Sequence, residues 1–486
     1  MKTTVKYVII SLLLLLGLGC VGILYLFFIP NSSIFGITYI NHNKTIETEK
    51  FESSDISQIK LISRGYPVRI LETKKEEIHL TAHSNSFGFV KLENEHLSVK
   101  TQQTNNVLSF EIIEPHGFTL INESYISLYI PSTKSFDLNL KNQKSNITIN
   151  NQNLKINNLA CSTEKGNFSF SKGTLEGELN LNLRKGDFVL AKEVVSNEND
   201  VTLKLTSGSF TSKVDMLGDI NIKSNKRGVI NITNCEDIIE DSKSAGGQIN
   251  VKSLKYANIK AGDTKISIGK ASQSVNITLF KSGSVKIKEE LLGESSIVTN
   301  SGKIIINKPN SALSLSSNSG NITVTQATLA INVSSNKGTV NIKFAEDAPT
   351  YTENTQARTL YAKIKNGKLI ATGVEHIGDC SDNPDKGITV TGDGSVNIKM
   401  NEVYGHNYID GRDGRISVVI NKDSQYVLKT SSSNGGVRVN LAQIAEYNGY
   451  TTKTERTTYV NCVTSNNTLT VTTNYGRLTV LDTNFA

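Results

Sequence analysis

The sequence predicts an all-β protein, a β-solenoid of stacked coils that follows a single N-terminal transmembrane helix. The first observation is a repeated unit, Gly-x-Ile-x-Ile, whose first position we call the slot. Sixteen copies begin between residues 145 and 476, and the slot is glycine in 14 of them, with Ser145 and Thr264 in the other two. Successive slots in the first eleven copies are 17 to 22 residues apart. A fixed period of this size is typical of a solenoid.

The second observation is the alternation of residues after each slot. The residue two positions past the slot is large and apolar in all 16 copies, as in Ile304 and Ile322, and the next residue is polar in 13. A period of two buries one face of a β-strand and exposes the other. Glycine at the slot predicts a positive φ or a tight corner before each strand. Because one such strand cannot bury its apolar face alone, we expect the copies to stack, with Ile304 and Ile322 pointing inward.

The N-terminal segment predicts a membrane anchor. Residues 7–29 contain no charged side chain, and as a helix they would span roughly 34 Å, enough for the hydrocarbon core of a bilayer. Lys2 and Lys6 precede this segment without an acidic residue, which places residues 1–6 in the cytosol and the bulk of the chain outside the cell membrane. Two alternatives remain open: a cleaved signal peptide, and lipidation of Cys20, which ends a partial match to a bacterial lipobox.

The remainder divides into four parts by its patterning. Residues 30–50 are a polar juxtamembrane linker. Residues 51–140 contain alternating runs without the glycine period, and we interpret them as an N-terminal β cap that covers the open edge of the coils. Residues 141–345 form the regular β-solenoid, and residues 346–486 continue it with longer loop insertions. Within the last part, the pattern of Leu441–Tyr450 allows a short helix.

The same motifs resemble those of a known family. Val68-Arg-Ile70, Ile78-His-Leu80, Leu97-Ser-Val99 and Ile130-Pro131, followed by serial Gly-x-Ile-x-Ile units, are similar to the bacterial "putative adhesin" or toast-rack β-repeat family. The resemblance runs from residue 55 to the C-terminus. Most members have no established function. The resemblance implies an envelope protein, connected in some members with adhesion and in others with envelope stress, and it implies no catalytic residues.

Candidate ligand-binding residues lie on the insertions after residue 345. Insertions leave a solenoid as loops and often carry binding, and exposed aromatic side chains beside polar groups can stack on sugars or anchor a protein partner. The alternative reading, that these are tolerated surface loops, remains open. The predicted ligand residues are Tyr351, His376, Asp382, Tyr404, His406 and Tyr408.

The sequence carries no pattern of a catalytic, metal or cofactor site. Cys161, Cys235, Cys380 and Cys462 are 74 to 145 residues apart, which fits neither a metal site nor a disulfide scaffold. We expect each of them to pack as a small apolar residue. The outward position between the two apolar residues of the repeat is never Asp or Glu, whereas a carbohydrate-active β-helix needs converging carboxylates or a base with cations. We therefore predict a non-enzyme without cofactor.

Charge and compartment limit the partners. Beyond the two cytosolic lysines, 50 Lys and Arg face 45 Asp and Glu, a balance that favours an anionic wall polymer or lipid head groups. A glycan or another envelope protein are the other partners considered, and no basic and aromatic array indicates nucleic acid. The predicted function is a membrane-anchored, extracytoplasmic, adhesin-like protein that binds or spaces at the cell envelope without catalysis. The alternatives are an envelope-stress component acting through a membrane partner and a carbohydrate-active β-helix enzyme.

Overall fold

The protein is all-β after a short N-terminal helix, as the sequence predicts. The computed structural model describes residues 10–22, 33–34, 37–91, 97–114, 117–243, 245–378, 386–441, 444–450, 454–462 and 465–484. Within these residues it contains a helix at residues 10–22, a 3₁₀ turn at Ser53–Asp55 and 42 β-strands. By internal contacts the chain forms two compact units, residues 1–199 with 211–214 and residues 200–210 with 215–486.

The strands before residue 200 belong to the first unit. They are β1 (Ser33–Ile34), β2 (Ile37–Glu47), β3 (Phe51–Glu52), β4 (Gln58–Ser63), β5 (Val68–Thr73), β6 (Glu77–Lys91), β7 (Ser98–Thr104), β8 (Val107–Ile113), β9 (Gly117–Asn122), β10 (Tyr125–Pro131), β11 (Phe136–Asn142), β12 (Ile147–Thr163), β13 (Phe168–Leu175), β14 (Leu179–Leu183), β15 (Asp187–Leu190) and β16 (Val194–Ser196).

The strands after residue 200 belong to the second unit, apart from β18, whose residues are shared between the units. They are β17 (Val201–Leu205), β18 (Ser209–Ser212), β19 (Ile220–Asn225), β20 (Val229–Ser242), β21 (Gln248–Ala261), β22 (Lys265–Ala271), β23 (Val275–Leu279), β24 (Ser284–Leu291), β25 (Ser295–Thr299), β26 (Ile304–Asn307), β27 (Leu313–Ser317), β28 (Ile322–Ala327), β29 (Ile331–Ser335), β30 (Thr339–Phe344), β31 (Leu360–Ile364), β32 (Lys368–Val374), β33 (Ile388–Val390), β34 (Ser395–Met400), β35 (His406–Asp410), β36 (Arg415–Ile420), β37 (Tyr426–Ser432), β38 (Gly436–Leu441), β39 (Ile444–Tyr450), β40 (Thr454–Val460), β41 (Thr468–Thr473) and β42 (Leu478–Asp482).

Two ladders of parallel strands build the second unit. The slot copies form one of them, the slot ladder, in which β22, β24, β26, β28, β30, β32, β34 and β36 pair in this order. The intervening strands form the return ladder, with β23, β25, β27, β29, β31, β33 and β35 in order. Each coil of the chain therefore contributes one strand to each ladder.

The alternation in the sequence sets the register of the slot ladder. Ile304 lies opposite Ile322, and Ile322 lies opposite Val340. All three are fully buried, whereas Thr323 beside Ile322 is partly exposed. Burial of one such side chain contributes roughly 1.5–3 kcal/mol. The predicted inward stacking of Ile304 and Ile322 is confirmed.

The slot glycines are needed for a close approach rather than for a positive φ. A Cβ built on Gly302 would overlap the carbonyl oxygen of Gly283, and one built on Gly320 would overlap the carbonyl oxygen of Gly302. Neither residue has a positive φ, although Gly338 does, at 122°. Of the two expectations for the slot, a positive φ or a tight corner, the positive φ does not occur at Gly302 and Gly320. Glycine occupies the slot there because the backbones of successive coils touch, which leaves no room for a side chain.

A buried polar side chain closes the turn that leads into many slots. The Gly320 N–H donates to Ser317 Oγ at 2.7 Å, and the Gly228 N–H donates to Asn225 Oδ1 at 2.8 Å. Both acceptors are almost fully buried. Such a bond satisfies a backbone donor that would otherwise be orphaned in the core. The sequence analysis missed this element, which is visible as Ser, Thr or Asn three residues before the slot.

In the first unit, coils begin before the first slot. Strand β5 lies between β10 and β12, parallel to both, so that Val68 lies opposite Ile147. Strand β4 likewise lies between β8 and β11. Antiparallel strands follow at the edge, with β6 against β2 and β10, and β7 against β8. The residues predicted as a cap therefore contain one coil, formed by β4 and β5, that pairs in parallel on both sides with strands from later in the chain.

In the second unit, the last strands of the chain lie inside the ladders. Strand β42 pairs in parallel with β36 on one side and β38 on the other, and β41 pairs with β35 and β37 in the same way. We call β41 and β42 the inserted coil. The outermost positions belong to β39 and β40, which run antiparallel to β38 and β37.

The short helix allowed by the pattern of Leu441–Tyr450 is wrong. Residues Ile444–Tyr450 form strand β39 and pair with β38. The open edge of β38 offers a row of unpaired backbone groups, and pairing with that row outweighs a weak local helix preference.

The predicted transmembrane segment is described only in part. Residues 10–22 are helical and exposed, whereas residues 7–9 and 23–29 lie outside the described residues. Within the described part of the chain, no helical stretch reaches the length and apolarity that a bilayer crossing requires.

Candidate functional site

Three predicted ligand residues meet in the second unit and form what we call the loop cluster: Tyr351, His376 and Tyr404. The rings of Tyr351 and His376 are stacked with centroids 4.2 Å apart, and the ring of Tyr404 lies 6.1 Å from that of Tyr351. His376 Nδ1 is 2.8 Å from the carbonyl oxygen of Tyr404. The aromatic residues of separate insertions therefore converge, as a common binding role requires.

The loop cluster is less exposed than the sequence suggested. His376 is 9% exposed and forms a parallel bridge with Thr359, so it continues a ladder instead of standing on a free loop. Burial lowers the pKa of His376 and favours the neutral imidazole. The prediction of an exposed loop residue is therefore wrong for His376, because local β pairing draws it into the coil.

A buried ion pair fastens the insertion at residues 346–358. Arg358 Nε lies 3.4 Å from Glu375 Oε1, and each side chain is 7% exposed. Arg358 Nη2 also donates to the carbonyl oxygens of Glu346 and Ala348 at 2.8 and 2.9 Å. Glu375 Oε2 accepts the Tyr351 N–H at 2.9 Å. This insertion is thus part of the packed structure, because removing one partner of a buried pair leaves an uncompensated charge.

The other three predicted ligand residues are not in the loop cluster. His406 and Tyr408 lie on β35, where His406 Nδ1 is 3.0 Å from Thr468 Oγ1 and the Tyr408 hydroxyl is 3.3 Å from Thr472 Oγ1. Both partners belong to the inserted coil. Asp382 lies outside the described residues.

Two of the four cysteines after residue 30 pack in the interior, as the sequence predicts. Cys161 and Cys235 are buried, and burial raises the pKa of the Cys235 thiol to about 12. Cys462 is partly exposed, and Cys380 lies outside the described residues. Across the described ranges, no three His, Cys, Asp or Glu side chains are grouped as a metal ion would require.

The outer side of the slot ladder carries a set of cations that sequence analysis did not single out. We call it the basic face; it includes one residue of β21, which pairs with β22, and its members are Lys252, Lys265, Lys288, Lys303, Lys343, Lys368, Lys399 and Arg415, all exposed.

The cations of the basic face lie in two register columns, and within each column neutral residues separate them. Ser395 lies between Lys368 and Arg415, and Thr372 lies between Lys343 and Lys399. Like charges on directly neighbouring strands would repel each other. With strands about 4.8 Å apart, cations on every second or third coil of a column recur at roughly 10 to 15 Å. The alternation thus allows a long row of positive charge to persist on a stable sheet.

A groove of 780 Å³ lies on the basic face. It is lined by Lys270, Lys288, Glu289, Glu290, Asn307, Lys308, Thr325, Gln326 and Lys343. Lys270 is paired with Glu290 at 2.6 Å, and Lys343 with Glu346 at 3.5 Å. Lys308 and Gln326 have positive φ values of 45° and 56°. This left-handed backbone conformation is uncommon for residues other than glycine. It marks a bulge where each strand bends beside the groove.

Comparison with known proteins supports the family resemblance. Residues 56–234 match the model of the family described as Toastrack DUF4097. The resemblance stated from the motifs is thereby confirmed over this part of the chain. Among curated proteins, none matches the sequence.

Solved bacterial structures are also similar to this chain, at low identity. A provisionally assigned cell adhesion protein from Clostridium sporogenes shares 12% identity over 47% of this chain and 99% of its own, with a TM-score of 0.26. A provisionally assigned lipid-binding protein from Parabacteroides distasonis shares 14% over 58% and 96%, with a TM-score of 0.26. A provisionally assigned adhesin from Bacteroides fragilis shares 10% over 58% and 97%, with a TM-score of 0.21.

Proposed function

We propose that the chain is a membrane-anchored, extracytoplasmic β-solenoid with an adhesin-like role, and that it binds a linear polyanion of the cell envelope without catalysis. The observation that carries the proposal is the basic face with its groove. Its cations project from the strands of one hydrogen-bonded ladder, so their order and spacing are fixed before any ligand arrives. Such preorganisation reduces the entropy lost on binding.

The chemistry of the basic face favours a charged polymer over a small ligand. Lysine presents a mobile point charge on a flexible stem, which tolerates variation in the position of an anionic group. A row of such charges attracts a chain whose negative groups recur along its length, and this attraction weakens as salt screens it. Phosphodiester wall polymers have this chemistry. The basic face would thus recognise the charge density of a polymer and not the shape of one particular ligand.

Membrane anchoring is supported by the uncharged residues 7–29 and the two lysines before them. We expect an uncleaved N-terminus with residues 31–486 outside the membrane, because positive charges are retained on the cytosolic side. Protease added to intact, wall-stripped cells should therefore digest the bulk of the chain. Protection of that part, or a mature protein that begins at Cys20 or later, would contradict this topology.

Polyanion binding can be tested by removing charge from the groove. The triple variant Lys288→Gln, Lys308→Gln, Lys343→Gln should bind poly(glycerol phosphate) about tenfold more weakly at low salt, since each exposed charge pair contributes about 0.5 kcal/mol. The measurement is titration of the purified full chain, in detergent, with the labelled polymer. Wild-type binding should also weaken as salt is raised.

The control removes the same charge from exposed lysines away from the groove: Lys260→Gln on β21 where it pairs with β23, Lys363→Gln on β31, and Lys429→Gln on β37 where it pairs with β41. It should bind the polymer with nearly wild-type affinity. Equal weakening in both triple variants would show that net charge, and not the groove, determines binding. A wild-type chain that does not bind the polymer would contradict the proposal outright.

A further inference from the structure

The outer side of the return ladder carries a surface opposite in chemistry to the basic face. We call it the neutral track: Asn276, Ser296, Ser314, Asn332 and Tyr361. These five residues lie in register on β23, β25, β27, β29 and β31. None of them is charged, and four are amides or hydroxyls at the surface. The ladder therefore presents a continuous row of hydrogen-bonding groups that ends on an aromatic ring.

The polar groups of the neutral track are available to a ligand. Within the described residues, the side chains of Asn276, Ser296, Ser314 and Asn332 make no hydrogen bond to the protein. The row of asparagines beside the track differs, because Asn318 Nδ2 donates to Asn300 Oδ1 at 3.1 Å and Asn336 Nδ2 donates to Asn318 Oδ1 at 2.8 Å. The side chains of that row bond to one another and stabilise the stacked coils. The side chains of the neutral track keep their donors and acceptors free.

The insertion at residues 346–358 helps to form one end of the track. The Tyr361 hydroxyl lies 3.5 Å from Gln356 Oε1, and Gln356 is held with a φ of 47° two residues before the buried Arg358. A groove of 460 Å³ results, lined by the whole track together with Gln356, Glu294 and the small residues Ser295, Ala312 and Ala330. Small side chains at the start of the strands thus leave a depression beside the row of polar groups.

We propose that the neutral track binds an uncharged, extended β-linked glycan strand that lies along the ladder axis. Hydroxyl and amide groups can donate to and accept from sugar hydroxyls without selecting a charge. The ring of Tyr361 can pack on the apolar face of a terminal sugar. The groups recur about every 4.8 Å, so that five positions extend over roughly 19 Å. This repeat is comparable to the length of one sugar in an extended β-linked chain, which gives the track about four subsites.

The test uses the full chain in detergent and the β-1,4-linked tetramer of N-acetylglucosamine as probe. The tetramer should bind at least tenfold more tightly than the dimer, because the track is extended. Tyr361→Ala should weaken tetramer binding about tenfold, and Ser314→Asp, at an exposed position in the middle of the track, should do the same. The matched control is Asn318→Ala in the self-satisfied row, which should leave affinity unchanged.

Thermal unfolding of each variant separates loss of the site from loss of the fold. Ser314→Asp carries the test if Tyr361→Ala proves unstable. Equal affinity for dimer and tetramer, or equal loss in Asn318→Ala and Ser314→Asp, would overturn the assignment. Excess poly(glycerol phosphate) should not displace the tetramer, since the proposed polyanion site lies on the other ladder. Displacement would show that the neutral track is not a separate site. The two proposals can fail independently, because binding of the tetramer and binding of the polymer are measured separately.

Discussion

Deleting residues 465–486 is expected to unfold the later coils of the second unit, instead of shortening it by one coil. The deletion removes the inserted coil, and with it the only strands that join β36 to β38 and β35 to β37 in the described structure. It also removes four fully buried side chains, those of Leu469, Val471, Leu478 and Val480. At roughly 1.5–3 kcal/mol for each, the lost burial amounts to about 6–12 kcal/mol. This approaches the whole stability of an ordinary domain.

Amide hydrogen exchange is the measurement for this deletion. Protection should disappear in residues 406–441 and persist in β22 to β28, since stability in stacked coils is largely local. The control replaces residues 444–460, which contain all of β39 and β40, by a flexible linker of the same length and keeps the inserted coil. Its loss of protection should be confined to β37 and β38. If both changes expose the same residues equally, the inserted coil does not hold these strands together.

Replacing Glu240 by isoleucine is expected to stabilise the second unit and to flatten its pH dependence. Glu240 is 1% exposed and lies in register between Ile222 and Ile259. Neither carboxyl oxygen has a hydrogen-bond partner in the described structure. Burial raises the pKa of this carboxyl from 4.5 to about 8. The charged form is excluded from an apolar column, so the folded state must hold a proton there.

The sign of the effect follows from proton uptake. Between pH 4.5 and about 8 the folded state holds a proton on Glu240 that the unfolded state has released. The free energy of unfolding therefore falls as pH rises through this window and levels off above it. A shift of this size corresponds to about 5 kcal/mol, to order of magnitude. Below pH 4.5 both states are protonated at this group, and the penalty disappears.

Denaturant unfolding at pH 4.5 and pH 8 checks this expectation. Glu240→Ile should be several kcal/mol more stable than the wild-type chain at pH 8, with a much smaller difference between the two pH values. Glu240→Gln should remove the pH dependence but keep the cost of an unsatisfied buried amide. Asp241→Asn, at the exposed neighbouring position, serves as the control and should change little. If the stability of the wild-type chain depends on pH in the same way as that of Glu240→Ile, the proposed burial of the Glu240 carboxyl is wrong.

Much of the fold could be predicted from the sequence because the pattern of neighbouring residues determines it. The alternation around Ile304 and Ile322 determines which side chains face inward, and parallel stacking places equivalent residues above one another. The position of the inserted coil has no such local signal. Leu478 fits as well beyond Val437 as between Ile416 and Val437, and only the full set of pairings selects the second arrangement. Strand order at the ends of a ladder is a long-range property that a repeat pattern does not encode.

The candidate surfaces were predictable to different degrees. Irregular spacing after Gly338 indicated the insertions that carry Tyr351 and His376. It did not indicate that Arg358 and Glu375 would pair in the interior, because residues 17 positions apart show no pattern until the coil places them together. The basic face and the neutral track could not be predicted, because the length of every turn decides which outward residues lie in one column. A single inserted residue changes which outward positions share a column.

The touching backbones at the slots make each coil an exchangeable length of chain. The carbonyl oxygen of Gly283 meets Gly302, and that of Gly302 meets Gly320, so each contact is a copy of the one before it. Loss of residues 302–319 from a gene would place Gly320 against Gly283 and recreate the same junction. Duplication of that segment would add one coil with the same junction. Lineages could thus lengthen or shorten both outer surfaces together in steps of one coil, while the chemistry of every retained position stayed the same.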